Sequence, residues 1–386
     1  MLVRSQITAE RQRRGFTIVE LLVAMALIGV MASMVGMALS SAQGDARRAR
    51  AKLQVAKIRE ILLHRWDDYM VMQMPVNLLD SGVPFRGRQR ASERARIRLA
   101  LLRDRMRIEM PDRITDLANP AQSWPTQAFD TGTASWKTVT ADTLSAPLLD
   151  IYRERVVQTY VALGKLPASA TYADVFPGGV DSLPPSSSDN DLWTREHQSA
   201  ECLYLILSAM NFAGRPALDA FRPSEIADTD GDSMPEIVDP WGTPIAWARW
   251  PAGYWFEISA IDARTDLGPD GFDLLNASVR YKDTAVATKP FNLQPLVVSA
   301  GPDGEFETRF INGLDPDSQI EINYVGASFR VTLSGFTEID PYYAYTDTTT
   351  AANLKTKSGQ GGVGYMGDLD GDGYDASVDN LTSSEL

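Results

Sequence analysis

The chain has 386 residues, of which 44% are hydrophobic and 23% are charged. This is an ordinary globular composition with room for two or three domains. A single cysteine, Cys202, excludes an intramolecular disulfide framework, and two histidines argue against a multi-histidine metal site. The net charge of −13 is uneven, because residues 1–113 hold 21 lysines and arginines against 11 acids while the remainder holds 16 against 39. Such an acidic body argues against wrapping of nucleic acid, which needs positive charge.

The N-terminal segment predicts a membrane helix. Residues 1–15 are polar and basic, whereas residues 16–40 contain one ionisable side chain, Glu20. About 20 helical residues cross the hydrocarbon core of a bilayer, so this segment is long enough to span it. It is also longer than the apolar region of an ordinary secretory signal. A carboxylate within a membrane helix costs about 2.5–3.5 kcal/mol on insertion scales, which makes Glu20 a candidate functional residue.

The residues around Gly15 resemble a known processing site. Residues 13–22, RRGFTIVELL, are similar to the cleavage segment of type IV pilins and type II secretion pseudopilins. The resemblance implies that prepilin peptidase cuts between Gly15 and Phe16 and methylates the new amino terminus. It also implies an inner-membrane precursor with its C-terminal head in the periplasm or outside the cell. The implied partners are other pilin or pseudopilin subunits, the inner-membrane assembly platform and membrane lipids.

Glu20 becomes the fifth residue of the mature chain under this resemblance, where the family has its glutamate. A buried carboxylate needs a cation, and the amine of Phe16 in a neighbouring subunit could supply it. Because loss of one partner from a buried ion pair is strongly destabilising, Glu20 would set the register of filament assembly. The alternative is a single-pass anchor with an incidental glutamate. Charge does not decide the orientation, because basic residues flank the apolar run on both sides.

A continuous helix is predicted over residues 16–73, ending before Pro75, since the residue before a proline disfavours helical geometry. Its second half carries an apolar stripe with helical spacing, which predicts a core contact. The stripe consists of Val55, Ile58, Leu62, Trp66 and Tyr69. The arginine-rich residues 86–113 favour an amphipathic helix whose solvated face pairs with acidic neighbours. A phosphate-binding patch is the alternative, which the lack of interleaved aromatic residues disfavours.

The remaining chain predicts an α+β fold in which the long N-terminal helix packs on a C-terminal antiparallel sheet with a large helical and loop insert. Residues 114–145 are predicted as loops, and residues 147–163 and 191–212 as helices. Alternating apolar, β-branched and aromatic residues predict strands from about residue 235. These strands are expected at 245–250, 254–259, 296–299, 320–324 and 328–333.

The predicted organisation has six segments. They are a leader (1–15), a transmembrane assembly helix (16–40), its extramembrane continuation (41–73), the insert (74–234), the sheet head (235–345) and an acidic, Gly-rich tail (346–386). Within the head, residues 239–244 and 299–304 are similar to turns of major pseudopilins. Residues 305–309 depart from the run of aspartates that follows in that family, which puts a calcium site at that loop in doubt.

Two carboxylate clusters have the alternating spacing of calcium-binding loops, because calcium takes six to eight oxygen ligands and often finds them in one loop. The first comprises Asp228, Asp230, Asp232, Glu236 and Asp239, and the second comprises Asp368, Asp370, Asp372 and Asp379. We therefore predict Ca²⁺ as a cofactor, with Mg²⁺ as the weaker candidate. The alternative for each cluster is an acidic, solvated loop. The tail loop is expected to support little other structure.

Catalytic motifs are absent from the sequence, so an enzyme is not predicted. His197 and Cys202 are five residues apart on a predicted helix and do not share a face. The leading hypothesis is a structural subunit of a type II secretion or type IV pilus-like filament. The alternatives are a minor pilin or adhesin, and a membrane-anchored, calcium-dependent binding protein.

Overall fold

The computed structural model divides the chain into two compact units, residues 1–49 and 50–386. The described residues are 17–74, 87–118, 126–130, 135–139, 147–176, 192–254, 268–278, 290–308, 330–333, 336–339, 341, 366 and 375–384.

The first unit is described from Thr17 onward and consists of the first part of helix α1. This helix runs from Ile18 to Val71, which confirms the long N-terminal helix expected from the sequence. Within the described part of the chain, it is the one helix long and apolar enough to cross a membrane. Its apolar side chains are solvent-exposed up to Leu39, and Leu22, for example, is 63% exposed. A surface of this kind requires lipid or protein neighbours.

The second unit contains the remaining part of α1 and the other helices and strands. The helices are α2 (Gly87–Glu109), α3 (Ile114–Ala118), α4 (Pro147–Ala162) and α5 (Gln198–Ala209). The strands are β1 (Thr126–Asp130), β2 (Ser135–Val139), β3 (Asn211–Phe212), β4 (Arg215–Pro216), β5 (Ile226–Ala227), β6 (Glu236–Ile237), β7 (Ala246–Ala248), β8 (Leu296–Ser299), β9 (Arg330–Leu333), β10 (Phe336–Ile339) and β11 (Leu381–Thr382).

The sheets of the described residues are all antiparallel, which confirms the α+β class. β8 is the central strand of a three-stranded sheet with the order β11-β8-β7, and Trp247 of β7 pairs with Val297 of β8. The other strands form the hairpins β1-β2, β3-β4, β5-β6 and β9-β10. β7 and β8 lie where the sequence predicts strands.

The predicted apolar stripe of α1 is buried, with Val55, Ile58, Leu62 and Tyr69 fully inaccessible and Trp66 only 3% exposed. These residues belong to one apolar core, to which α2, α4, α5 and β7 also contribute side chains. The helix periodicity therefore identified this contact correctly, because a side chain every three or four residues returns to the same helix face.

Arginines of α2 pair with acidic neighbours as predicted, but Arg96, Arg103 and Arg107 are buried rather than on a solvated face, whereas Arg94 is exposed. Arg103 is buried and lies 3.0 Å from a carboxylate oxygen of Asp270. Glu109, also buried, accepts hydrogen bonds from Arg105 at 3.0 Å and from Arg65 of α1 at 2.6 Å. Arginine can bury its stem and its guanidinium together when carboxylates and carbonyls surround it.

A buried ion cluster joins β7 to the segment between α2 and α3. Arg249 follows β7, is fully inaccessible, and lies 3.1 Å from Asp112 and 3.0 Å from Asp116. Arg113 also contacts Asp116, at 3.1 Å. Burial opposes ionisation of Asp116, but the neighbouring Arg113 and Arg249 guanidinium groups outweigh it and hold the pKa of Asp116 well below its usual range. This cluster fixes two distant parts of the sequence against each other.

Several predicted boundaries need correction. Residues 114–145 were expected to be loops, but they contain α3 and the β1-β2 hairpin, in which Phe129 pairs with Trp136. Tyr254, the first residue of the strand predicted at 254–259, lies in a helical turn over residues 252–254, and the rest of that strand lies outside the described residues. The predicted strand at residues 320–324 lies outside the described residues. α5 begins at Gln198, because His197 before it adopts a left-handed conformation with φ of 54°.

The C-terminal tail also differs from the expectation that it supports little structure. β11 pairs with β8, placing Leu381 opposite Ser299 and Thr382 opposite Val298. The backbone amide of Ser383 donates to the carbonyl of Val297 at 2.9 Å. The end of the tail is therefore an edge strand of the sheet that also contains β7 and β8.

Candidate functional site

Thr17 and Glu20 form a reciprocal hydrogen-bonded pair at the start of α1. The backbone amide and the hydroxyl of Thr17 donate to Oε2 of Glu20 at 2.9 Å and 3.0 Å. The backbone amide of Glu20 donates to Oγ1 of Thr17 at 3.2 Å. This arrangement is a capping box, which satisfies amides that the first helical turn leaves without partners. Gly15 and Phe16 lie outside the described residues, so the cleavage position stays a prediction.

The loop between β5 and β6 carries the first predicted carboxylate cluster. Asp228 accepts hydrogen bonds from the backbone amides of Gly231 at 2.8 Å and Ser233 at 3.1 Å. Asp232 accepts one bond from the amide of Thr194 at 2.8 Å and another from an amide within the loop. Both oxygens of each carboxylate therefore already have protein donors. These two side chains shape the loop and join it to the segment that precedes α5.

Glu201 was not predicted from the sequence, but it forms a group with Asp230 and Glu236 at this site. Carboxylate oxygens of Glu201, Asp230 and Glu236 all lie within 4.8 Å of one another. Oε2 of Glu201 accepts a bond from the indole of Trp193 at 2.6 Å, and Oε2 of Glu236 accepts one from the amide of Thr229 at 3.1 Å. Oε1 of Glu201 and Oε1 of Glu236 are both buried and have no hydrogen-bond donor among the described residues.

The electrostatics of the group reflect the concentration of buried negative charge. Burial, followed by repulsion from Asp230, raises the pKa of Asp232 to about 7 and that of Glu236 to about 9. Burial and the neighbouring carboxylates raise the pKa of Glu201 well above its ordinary value. At neutral pH the cluster therefore favours neutralisation, either by protons or by a cation.

Asp239 belongs to neither of the groups of carboxylates that lie within 4.8 Å of one another, so the structure does not bring it together with the rest of its predicted set. It accepts hydrogen bonds from the backbone amides of Trp241 at 2.9 Å and Thr243 at 3.1 Å, which close the turn at residues 239–244. Its other oxygen accepts a bond of 2.7 Å from the hydroxyl of Ser299 in β8. Asp239 therefore holds this turn against the sheet.

The second predicted cluster is described only at Asp379, because Asp368, Asp370 and Asp372 lie outside the described residues. Asp379 ends a 3₁₀ turn and packs against Gly301, whose φ is +80°. A Cβ atom at Gly301 would lie 2.7 Å from the carbonyl oxygen of Asp379. The turn at residues 299–304 and the C-terminal tail therefore meet at a point where only glycine fits. The metal role of the second cluster stays a prediction.

Cys202 and His197 lack the environment of a catalytic pair. Cys202 is fully buried, and burial raises the pKa of its thiol well above the usual value. A nucleophilic cysteine requires the opposite shift. Burial also lowers the pKa of His197. Cys202 therefore belongs to the apolar core rather than to a reactive site.

Comparison with known families identifies the N-terminal segment. Residues 11–36 match the family model described as the prokaryotic N-terminal methylation motif. No curated protein and no solved structure matches the chain. The matched segment includes Gly15, Phe16, Glu20 and the first part of α1, and it indicates a structural pilin-like protein rather than an enzyme family. Together with the apolar helix α1, it fits an inner-membrane-anchored precursor processed by prepilin peptidase. The chain thus carries the N-terminal signature of type IV pilins and pseudopilins.

Proposed function

We propose that the chain is a pseudopilin-type subunit of a type II secretion or type IV pilus-like filament. Cleavage between Gly15 and Phe16 produces the mature subunit, which polymerises through α1 while its head, from Arg50 onward, lies outside the cytoplasm. The N-terminal methylation motif is the observation that carries this proposal. The exposed apolar surface of α1 supports it, because neighbouring subunits would replace lipid around that surface during assembly.

The capping box gives Glu20 two possible roles that differ in their need for charge. As a cap, Glu20 needs only an oxygen that accepts the bonds from Thr17, which a glutamine also offers. As the partner of the Phe16 amine in a neighbouring subunit, Glu20 needs its negative charge. We assign the second role to the mature filament and the first to the isolated chain.

Glu20→Gln separates these roles. In membranes that contain the peptidase and the assembly machinery, we expect Glu20→Gln to be inserted and processed normally but to lose the cross-linked oligomers of the wild type. Glu60→Gln is the matched control, because Glu60 is an exposed carboxylate farther along the same helix. If Glu20→Gln forms the same oligomer ladder as Glu60→Gln, Glu20 is a helix cap and has no role in assembly.

Processing is tested by the mass and N-terminal sequence of the chain recovered from membranes. The mature chain is expected to begin with a methylated Phe16, and Gly15→Glu is expected to retain the leader, because a large charged side chain replaces a residue with none. A mature chain that begins elsewhere would contradict the cleavage assignment. Normal processing without any oligomers would instead favour a membrane-anchored binding protein.

A further inference from the structure

We propose that Glu201, Asp230 and Glu236 bind one calcium ion between α5 and the loop at residues 228–236. The site is independent of the proposed filament function, since it lies within the second unit and uses none of the residues of the N-terminal motif. The structure brings two groups of carboxylates within 4.8 Å, namely Glu201 with Asp230 and Glu236, and Asp228 with Asp230 and Asp232. Among the described residues, only the first group contains buried oxygens without a hydrogen-bond donor, and we therefore assign the ion to it.

The separations of the carboxylate oxygens suit a shared ion. Oxygen ligands lie about 2.4 Å from calcium, so two ligands of one ion can be at most about 4.8 Å apart. The oxygens of Glu201, Asp230 and Glu236 all fall within that distance of one another. Magnesium holds its ligands at about 2.1 Å, requires near-octahedral geometry and retains its waters, so it suits this set less well. Zinc favours sulfur and nitrogen ligands, which this group does not contain.

The unpartnered oxygens are the second, independent observation. Glu201 and Glu236 are both fully inaccessible to solvent, and Oε1 of each has no hydrogen-bond donor among the described residues. Buried polar atoms are nearly always satisfied, so two such oxygens within one group of carboxylates need a partner, which a bound cation would supply. The other oxygen of each side chain is held in place by Trp193 or by Thr229. The ligand oxygens are therefore fixed before an ion arrives.

Asp228 and Asp232 have a different role. Each accepts backbone hydrogen bonds with both oxygens, so they fold the loop and position Asp230 and Glu236. Asp230 also accepts bonds with both oxygens, at 3.2 Å and 3.3 Å, and it is assigned to the ion because it lies within 4.8 Å of the unpartnered Glu201 and Glu236. The competing explanation for the cluster is neutralisation by shared protons without a metal. It predicts that neither calcium nor any other divalent cation binds at neutral pH.

The test is isothermal titration calorimetry on the full-length chain in detergent, stripped with chelator and titrated with CaCl₂ or MgCl₂. We expect one calcium site in the wild type with magnesium binding more weakly. Glu201→Gln and Glu236→Gln should each reduce calcium affinity by at least about 100-fold, because loss of residues that merely orient metal ligands already costs about 10- to 100-fold. Asp219→Asn is the matched control, because Asp219 is an exposed carboxylate outside this loop, and it should leave the affinity unchanged. Asp228→Asn removes a side chain that shapes the loop and should cost no more than about 10- to 100-fold.

Terbium luminescence provides a second measurement that does not rely on the folding of any one variant. A terbium ion at this site would lie beside the indole of Trp193, which bonds to Glu201, so excitation of tryptophan should sensitise it. Calcium should then displace terbium and quench the signal in the wild type. The proposal is overturned if the wild type binds no calcium by either method, if magnesium binds more tightly, or if Asp228→Asn abolishes binding while Glu201→Gln retains it.

Discussion

Leu381→Ala tests whether the C-terminal tail is an integral strand of the head. Leu381 is 8% exposed and lies opposite Ser299 in the pairing of β11 with β8. The substitution removes three carbon atoms from a buried position. At about 0.8 kcal/mol for each buried methylene, the transfer loss alone is about 2.4 kcal/mol.

The cavity left by the substitution adds to this loss, but the tail can relax around it because β11 is a short edge strand. We therefore place the loss in unfolding free energy at about 2–3 kcal/mol, near the lower end of the range for buried leucine-to-alanine changes. For a unit of this size, that corresponds to a fall in Tm of about 3–4 °C. Thermal unfolding of the full-length chain in detergent, followed by tryptophan fluorescence, measures it. The signal includes buried Trp247 in the same sheet.

Val378→Ala is the matched control, because Val378 lies three residues earlier and is 81% exposed. Exposed positions of this kind change stability by no more than about 0.5 kcal/mol. The reasoning fails if both variants have the Tm of the wild type, because β11 would then contribute nothing to the sheet. It also fails if Val378→Ala destabilises as much as Leu381→Ala.

Three further predictions concern the second unit. Asp116→Asn should lower its unfolding free energy by about 3–5 kcal/mol, measured by urea titration, because buried arginines lose their shared counter-charge; a change below 1 kcal/mol would contradict this. Gly301→Ala should lower Tm because it combines φ of +80° with a Cβ atom 2.7 Å from the carbonyl of Asp379, and an unchanged Tm would be evidence against that contact. In chelator, stability should fall as pH rises from about 5 to 9, because the pKa of Asp232 is raised to about 7 and that of Glu236 to about 9. The folded chain then holds protons that the unfolded chain has released, so each group lowers the unfolding free energy by about 1.4 kcal/mol per pH unit, Asp232 up to about pH 7 and Glu236 up to about pH 9. Urea midpoints that rise with pH would refute the assignment.

The elements that local patterns specify were predicted well. The stripe from Val55 to Tyr69 repeats at helical spacing, and the α1 residues on that stripe are buried. Leu296–Ser299 is a short run of apolar and β-branched residues, and it forms β8. The N-terminal motif could also be recognised from the sequence, because its glycine, its glutamate and the start of its apolar run lie within a few consecutive residues.

The elements that depend on distant partners were not predicted. Leu381 and Thr382 form a strand only because β8 offers its edge, and two residues carry no strand periodicity of their own. The arginines of α2 look like a solvated face in the sequence. Their burial depends on acids such as Asp270, which is 167 residues away from Arg103. Local propensity cannot report contacts of this range.

The candidate metal site also combines residues that local spacing predicts with a residue that only the folded structure brings close. The spacing of acids along the loop predicted Asp230 and Glu236 as ligands, but it also included Asp239. Spacing cannot show that the oxygens of Asp239 already accept hydrogen bonds from Trp241, Thr243 and Ser299. Glu201 carried a different signal, since it is the one charged residue in the otherwise apolar or neutral sequence of α5. A carboxylate buried in such a helix needs either a proton or a positive partner. The loop places Asp230 and Glu236 beside Glu201, so a bound cation would satisfy the helix and the loop together.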